Sequence, residues 1–502
     1  MKKLLIILLL ISSLISRGAT YYIKTGGNDG LAGTSDATAW ATLSKVNGIT
    51  FQPGDSILFK RGNTFRGSIY QTENGNSSNW IVYGAYGTGT KPKILGSKDI
   101  SLNADWTNHY GNVWKTSAQL GTIQNDISNL IFNNEAFAGY KKKSIDSLNA
   151  QGKFWYNTLD KLLYIYSTSN PGTFYTHIEA AGHHDLRQGL LSWRNSSYIK
   201  IENLDARYSS AAGIETDGCN HITIDRCGLS WIGGEWLFGT GSDLRRLGNG
   251  YSFILNNDYI IVSNSTAHEC YDAGISPQSW VDNTVQTNMS FYDNIITNCY
   301  YSYETWCATT YTLTNIHYYN NTSISPGDCW SNTVRQRPDY LNSCHVMIWA
   351  LTGTATNVTI LNNIFSGSCN VAMRLDDNVN KLTVDYNLFN TTRVGYTNES
   401  TYYTTLAAWQ AAMSQDAHSI SADPAFISTS DFRLQSGSPA IDAGTNTGLS
   451  IDFDGNARPD NGVYDIGAFE FQSPVAPSAS GFGRVGTKFG KYGSKFVKIS
   501  EL

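Results

Sequence analysis

Four acidic residues recur at similar distances behind a repeated apolar pair. Glu235, Asp272, Glu304 and Asp328 lie 11, 10, 13 and 10 residues after Ile224, Val262, Phe291 and Tyr318, and Trp236, Trp306 and Trp330 follow three of them within two residues. If consecutive turns of a coiled sheet carry these acids in register, neighbours stand ~5 Å apart and alternate ones ~10 Å apart. Those separations bracket the ~5–5.5 Å and ~6.5–9.5 Å at which carboxyl pairs cleave glycosidic bonds with retention or inversion. Stacked carboxyls in a partly dry cleft also split their pKa values, leaving one protonated as the acid and one ionised. Glu304 and Asp272 sit in the most aromatic, least charged surroundings, YYSYETW and ECYDAGISPQSW. The plain alternative is that such acids are solvated turn residues.

Further residues could hold a sugar beside that file. Trp306 and Trp330 offer apolar ring faces, and Glu269 is a further candidate, although strand alternation points either it or its neighbour His268 inward. The two longest repeats carry extra residues, 237–258 and 331–350, which would wall the file. The second brings Arg335, Arg337, Asp339 and His345, suited to hydroxyls or to the carboxylates of an anionic sugar. His183-His184-Asp185 borders an irregular segment and reads as a hinge rather than a metal site. Asp452-Phe453-Asp454-Gly455-Asn456 begins like a calcium loop but lacks the closing Glu, so a turn is expected there and no metal site is assigned.

The element that must position these groups is a recurring strand with apolar residues at i and i+2. It appears at Ile199/Ile201, Ile222/Ile224, Ile260/Val262, Met289/Phe291, Ile316/Tyr318, Val358/Ile360 and Leu382/Val384. Successive copies are 23, 38, 29, 27, 42 and 24 residues apart. The short spacings match one coil of a parallel β-helix and the long ones add an extruded loop. One coil cannot bury its inner face alone, but stacking coils makes a continuous core. A propeller needs more even blades of ~40–45 residues, and a sandwich would not repeat one strand seven times. Residues at i+4, among them Asn203, Asn264, Asn320 and Asn362, are expected to form a hydrogen-bonded ladder. Cys270 and Cys299, both eight residues past their anchors, are expected to pack in the core rather than form a disulfide.

Composition bounds the rest. With 36 basic and 41 acidic residues among 502, net charge −5 and 15% charged residues, the chain lacks the basic surface of a nucleic-acid binder. Met1-Lys2-Lys3 followed by an apolar run over 4–14 reads as a signal peptide, taken as residues 1–19, and is too short to span a bilayer. All eight cysteines lie between Cys219 and Cys369 without a CxxC pair. The domain reading is a cap and first coils at 20–105, with an amphipathic capping helix over 38–47 (Trp40, Leu43, Val46). A small β insertion at 106–185, central coils at 186–420, a closing segment at 421–472 and a linker with a basic tail at 473–502 complete it.

The segments YYIKTGGNDGLAGTSDATAWATLSKVN…FQPGDSILFKRGNTFRG, over 21–67, and ADPAF…DFRLQSGSPAIDAG…DFDGNARP…YDIGAFEF, over 422–471, resemble the ends of bacterial secreted right-handed parallel β-helix proteins of the pectate-lyase-like superfamily. With the coils between, the resemblance covers most of 21–471 and implies an exported, carbohydrate-active fold. The paired-Asp and Gly-His-Gly set of polygalacturonases and the calcium cluster of pectate lyases are not found, which leaves pectin in doubt. The reading is thus an all-β, right-handed parallel β-helix acting outside the cytoplasm, as a monomer, on a polysaccharide or oligosaccharide. The leading activity is glycoside hydrolysis without a cofactor, with Glu304 as acid and Asp272 or Asp328 as nucleophile or base. A polysaccharide lyase using an Arg, His345 or Tyr303 as base, with Ca2+, is the alternative, and a non-catalytic glycan-binding adhesin the third.

Overall fold

The structure of the chain, a computed structural model, describes residues 18–473 except 121–125, 184–188, 239–244, 247, 280, 308–309, 336–342, 350–352, 368, 376–381 and 398–399. It is a right-handed parallel β-helix whose coils contribute strands in turn to three ten-stranded sheets. One coil runs through Asn220–Asp225 in the first sheet, Gly228–Ile232 in the second and Tyr251–Ile254 in the third, before Asp258–Ser263 begins the next.

All seven apolar repeats fall in the first sheet and in register: Ile199, Ile222, Ile260, Met289, Ile316, Val358 and Leu382 pair in sequence. They and their i+2 partners are buried, each contributing roughly 1.5–3 kcal/mol by leaving water. Cys227, Cys270 and Cys299 are also buried, and the seven described cysteines are free thiols.

The polar ladder is displaced by one residue from its expected place. Residues at i+4, including Asn203, Arg226, Asn264, Asp293, Asn320 and Asn362, have φ between 49° and 59°. They turn the chain from the first sheet into the second through the left-handed region, which Asn and Asp tolerate best among non-glycine residues. The residue after each points inward, and from Ser265 to Asn387 these residues build the ladder. The backbone N–H of Asn294, Asn321 and Asn363 each donates to the side-chain oxygen of the next asparagine, Asn321, Asn363 and Asn387, at 3.0 Å, and each side-chain amide donates to the same oxygen at 3.1 Å. Asn387 passes the chain on to Ser419 and Asp416.

Both ends differ from expectation. The N-terminal helix covers only Leu43–Asn47, capped by Thr42, because Trp40 instead bridges Ile23 as a strand, with its N–H donating to the Tyr22 carbonyl at 2.8 Å. Trp40, Leu43 and Val46 still form one buried face over the first coil. At the far end a second helix, Leu406–Met413, covers the last coil with fully buried Trp409. The segment after 421 lies along the side of the coils, where buried Arg458 pairs with Asp293 at 2.7 Å and Glu470 at 3.1 Å. Asp452 accepts from the N–H groups of Asn456 and Glu470 and holds a turn.

The insertion begins earlier than residue 106. Ser97–Asp99 already pairs with Ile178–His183 in its four-stranded sheet, and a five-stranded sheet completes it. It has its own core around Ile127, Leu130, Phe132, Phe154, Ile165 and Ile178. Ile131 and Ala181 pack on Leu95, Tyr208, Trp231, Tyr271 and Trp330, seating the insertion at the corner between the second and third sheets. Residues 1–17 and 474–502, with the leader and tail readings, and His184 and Asp185 lie outside the described residues.

Asn321 accepts from Asn294 and donates to Asn363 and to the Phe291 and Tyr319 carbonyls. Asn321→Ala strands several buried partners at once and should cost about 3 kcal/mol. Asn315→Gly, in the part-exposed Asn288–Asn315–Asn357 ladder at a position with φ 56°, should cost less than about 1 kcal/mol. The shifts in denaturation midpoint measure the two, and similar values would contradict the ladder's structural role.

Candidate active site

The third sheet turns one file of side chains outward and keeps its neighbours inward. Ile214, Tyr251, Phe253, Ile275, Tyr303, Val346 and Met373 enter the core. Between them Ser192, Glu215, Ser252 and Ser276 stack in register outward, and beyond Ser276 come Glu304, Met347, Arg374 and Tyr396. Apart from Tyr396 these outward residues are all buried, so the file is covered where the outer face of a bare sheet would be solvated. Two residues along each strand, a parallel file carries Arg194, Asp217, Ile254, Gln278 and Trp306. Trp306 is half-buried, two residues from Glu304 in sequence and facing the same side.

Glu304, only 6% exposed, accepts from the Ser276 hydroxyl at 3.0 Å. Burial, reinforced by the negative charge of Asp272, pushes its carboxyl up to about 8 against an ordinary 4.5. Asp272 occupies the corner that leads into the third sheet and is paired with Arg335 at 2.7 Å. The same Arg335 nitrogen donates to the Tyr271 carbonyl at 2.6 Å, and the guanidinium lies over the Tyr271 and Tyr300 rings, 3.5 Å from the latter's centre. Its charge is held on more firmly than an ordinary arginine's, chiefly by Asp272 against the cost of burial. Near neutral pH Glu304 therefore keeps its proton, next to an Asp272 held by Arg335, and a carboxylic acid beside a second, clamped carboxyl is the arrangement that acid–base cleavage needs.

The four acids do not form a single file. Equal counts from the first sheet lose register because the corner between the second and third sheets varies in length from coil to coil. Glu304 therefore lies within the strand Tyr301–Cys307, whereas the other three lie in corners or turns. Glu235 is fully buried, accepts from the Ser210 hydroxyl at 2.9 Å and sits at the foot of the insertion rather than in the outward file. Asp328 is exposed in a turn whose N–H donates to the Ser325 carbonyl. Glu269 and Trp330 hold each other: the Trp330 backbone N–H donates to the Glu269 carboxylate at 2.8 Å and its ring N–H to the Glu269 carbonyl at 3.0 Å. Burial raises Glu269 to about 8. Trp330 is thus an anchor of the wall rather than an open sugar platform.

His345 requires a correction. The sequence places it within reach of a sugar, but it is fully buried inside the coil, Nδ1 against the Ser323 hydroxyl at 2.5 Å and its ring packed on Phe365. Burial depresses it to about 3. His345 and its neighbour Val346 are both buried in the interior, so side-chain alternation fails at this point of the strand, although the register of Tyr301 with Cys344 and of Tyr303 with Val346 is kept. Tyr303 is also in the core. Two of the bases named for β-elimination therefore face away from the outward file. Arg337 lies outside the described residues.

The sequence reading missed a second carboxyl pair in the same two files. Glu215 and Asp217 lie on the strand Ile214–Asp217, with Arg194 against Asp217 at 2.8 Å. Burial first, then the Asp217 charge, raises Glu215 to about 8, and one of its oxygens has no hydrogen-bond partner among the described residues. Alternation in Ile-Glu-Thr-Asp was the available signal, since it puts both acids on the face opposite Ile214. Register places Glu215 three strands from Glu304, about 14 Å. A grouping with metal-ligand character, Asp99, His177 and Glu179, lies on the insertion, but Arg66 takes both Glu179 oxygens at 2.7 and 2.8 Å.

No family model matches the chain. A lacto-N-biosidase of Bifidobacterium longum subsp. longum is 33% identical over 100 residues, 19% of this chain, and the chain spans about 6% of the length of that relative. Among solved structures, the GH136 lacto-N-biosidase from Eubacterium ramulus aligns over 76% of this chain and 56% of its own with 14% identity and a TM-score of 0.41. A structure described as a glycoside hydrolase aligns over 76% and 95% with 10% identity and a TM-score of 0.47.

The raised Glu304 has a consequence for stability. The folded protein holds this proton more tightly than the unfolded chain, so the contribution of Glu304 to stability falls as pH rises from the ordinary glutamate range toward 8. Glu304→Gln removes that dependence. Its melting temperature should gain on wild type steadily between about pH 5 and 8, and a pH-independent difference would contradict a buried neutral acid.

Proposed function

We propose that this chain is an exported glycoside hydrolase in which Glu304 is the general acid and Asp272 the nucleophile or base. The observation that carries the reading is the asymmetric pair: Glu304 kept neutral by burial and by Asp272, and Asp272 bound by Arg335 at 2.7 Å. Glu304 would protonate the leaving glycosidic oxygen while Asp272 stabilises or attacks the developing oxocarbenium centre. Trp306 offers an apolar face beside the acid. The stretch shared with a lacto-N-biosidase supports the same class of reaction. The charged start and apolar run at 4–14 support export. No helix among the described residues is long and apolar enough to cross a membrane.

Glu215 and Asp217 support a second reading, in which cleavage occurs at the other end of the same file, because they repeat the arrangement of raised Glu, Asp and clamping Arg. Substitution separates the two. On a panel of oligosaccharides, Glu304→Gln and Asp272→Asn should each lower kcat by about 10²–10⁴-fold with little change in KM, while Glu215→Gln mainly raises KM. Loss of kcat in Glu215→Gln with Glu304→Gln still active would move the centre to Glu215. Products should carry new reducing ends without absorbance near 235 nm, and unsaturated products would replace hydrolysis by elimination.

A further inference from the structure

Where the insertion meets the corner between the second and third sheets there is a cavity of about 460 Å3, within the roughly 300–1,000 Å3 of small-molecule sites. Three consecutive residues of the insertion, Lys141, Lys142 and Lys143, line it together with Ser147, and Trp236 and Arg335 line it from the coil side. Four of the described lining residues are cations and none is an acid.

This convergence has an electrostatic cost. Lys141 Nζ, Lys143 Nζ and the Arg246 guanidinium stand 5.2, 6.0 and 5.2 Å from the Trp236 ring centre. Burial and the charge of Arg246 lower Lys141 to about 8, although Asp126 is bound to it, and burial and Lys153 lower Lys142. A run of lysines free to choose would spread into solvent, so cations gathered around a cavity without a lining acid favour an anion there. Arg335 ties the cavity to the carboxyl pair. Its Nη2 holds Asp272, while its buried Nε–H meets no acceptor among the described residues. A buried donor without a partner marks a place where a bound group would restore a lost hydrogen bond.

We propose that this cavity is a subsite for an anionic substituent, a carboxylate or a sulfate ester, carried by the sugar unit next to the cleaved bond. Lys142, Lys143 and Arg335 meet the charge, with Trp236 as the apolar wall. The proposal rests on Asp272 and Glu304 being the reacting pair, since Arg335 belongs to both places. The insertion thereby acquires a function, because it brings cations to a sheet whose own outward file supplies carboxyls, serines and one buried arginine.

The test uses the full chain and three oligosaccharide pools of equal length: neutral, uronate-bearing and sulfate-ester-bearing. Binding is read by calorimetry in Glu304→Gln, where no turnover is needed, with and without Lys142→Gln/Lys143→Gln. One charged pool should bind at least tenfold more tightly than the neutral pool, more weakly at high salt, and the preference should fall at least fivefold in the lysine variant. The pool that shows it identifies carboxylate or sulfate ester. Equal binding of all pools, or a preference that the lysine substitutions leave intact, would overturn the subsite. Should the double variant fail to fold, Lys143→Glu at its exposed position carries the same prediction with a larger loss. Charge-selective binding together with undiminished turnover in Glu304→Gln would sink the catalytic assignment and spare the subsite. Loss of turnover without charge selectivity would do the reverse.

Discussion

Parallel register, maintained coil after coil, is the constraint on which the rest of this molecule depends. Strands stacked ~4.8 Å apart place like residues above like, so an error in one coil is an error against two neighbours. The first sheet meets the constraint with an unbroken set of apolar pairs from Ile199 to Leu382. The corner that follows meets it with left-handed residues and an inward Asn ladder from Asn294 to Asn387. In that ladder each asparagine satisfies the backbone N–H of the one before it, so a buried corner leaves no orphaned donor.

Because that corner is fixed, length variation is directed elsewhere. The hairpin of Trp236–Phe238 with Arg245–Arg246, the helix Trp330–Val334 and the insertion all leave the coil between the second and third sheets. Ile131 and Ala181 of the insertion pack there with Tyr271 and Trp330, beside a third sheet whose outward file is buried, where on a bare β-helix it would be solvated. Burial changes the chemistry of that file. Glu215 and Glu304 rise to about 8, whereas the exposed Asp36 near the start is drawn far below the usual carboxylate range by Lys60, Tyr86 and Lys24. The same residue class thus has opposite behaviour according to what the coil corners place above it.

The segment after 421 serves the same register from outside. Arg458, fully buried, binds Asp293 and Glu470, and the Asn320 and Asn362 amides donate to the carbonyls of Asp465 and Thr445. Asp293, Asn320 and Asn362 are the left-handed corner residues of three successive coils. The tail of the fold is thereby pinned to the positions whose backbone is hardest to hold. A charge pair this deep is stabilising only while both partners remain, because either one alone would be an unpaired ion in the core.

The sequence by itself determined the coil. Its evidence was the period-two apolar pairs, and these needed no distant partner to be read, since every coil buries the same face against a copy of itself. It also marked Glu304 and Asp272 by their aromatic, uncharged neighbours, but it did not determine their register. Counting from the first-sheet anchors assumed corners of constant length, and the corners differ, so Glu235 and Asp328 left the file. A failure of side-chain alternation at His345 put that ring in the core, which no residue count could reveal. Glu215 and Asp217 were visible as an alternation but had no value until tertiary packing covered them. Which carboxyl is neutral, which is clamped and which lysines converge are matters of burial and distance, and those exist only once the coils, their extruded corners and the insertion are folded against one another.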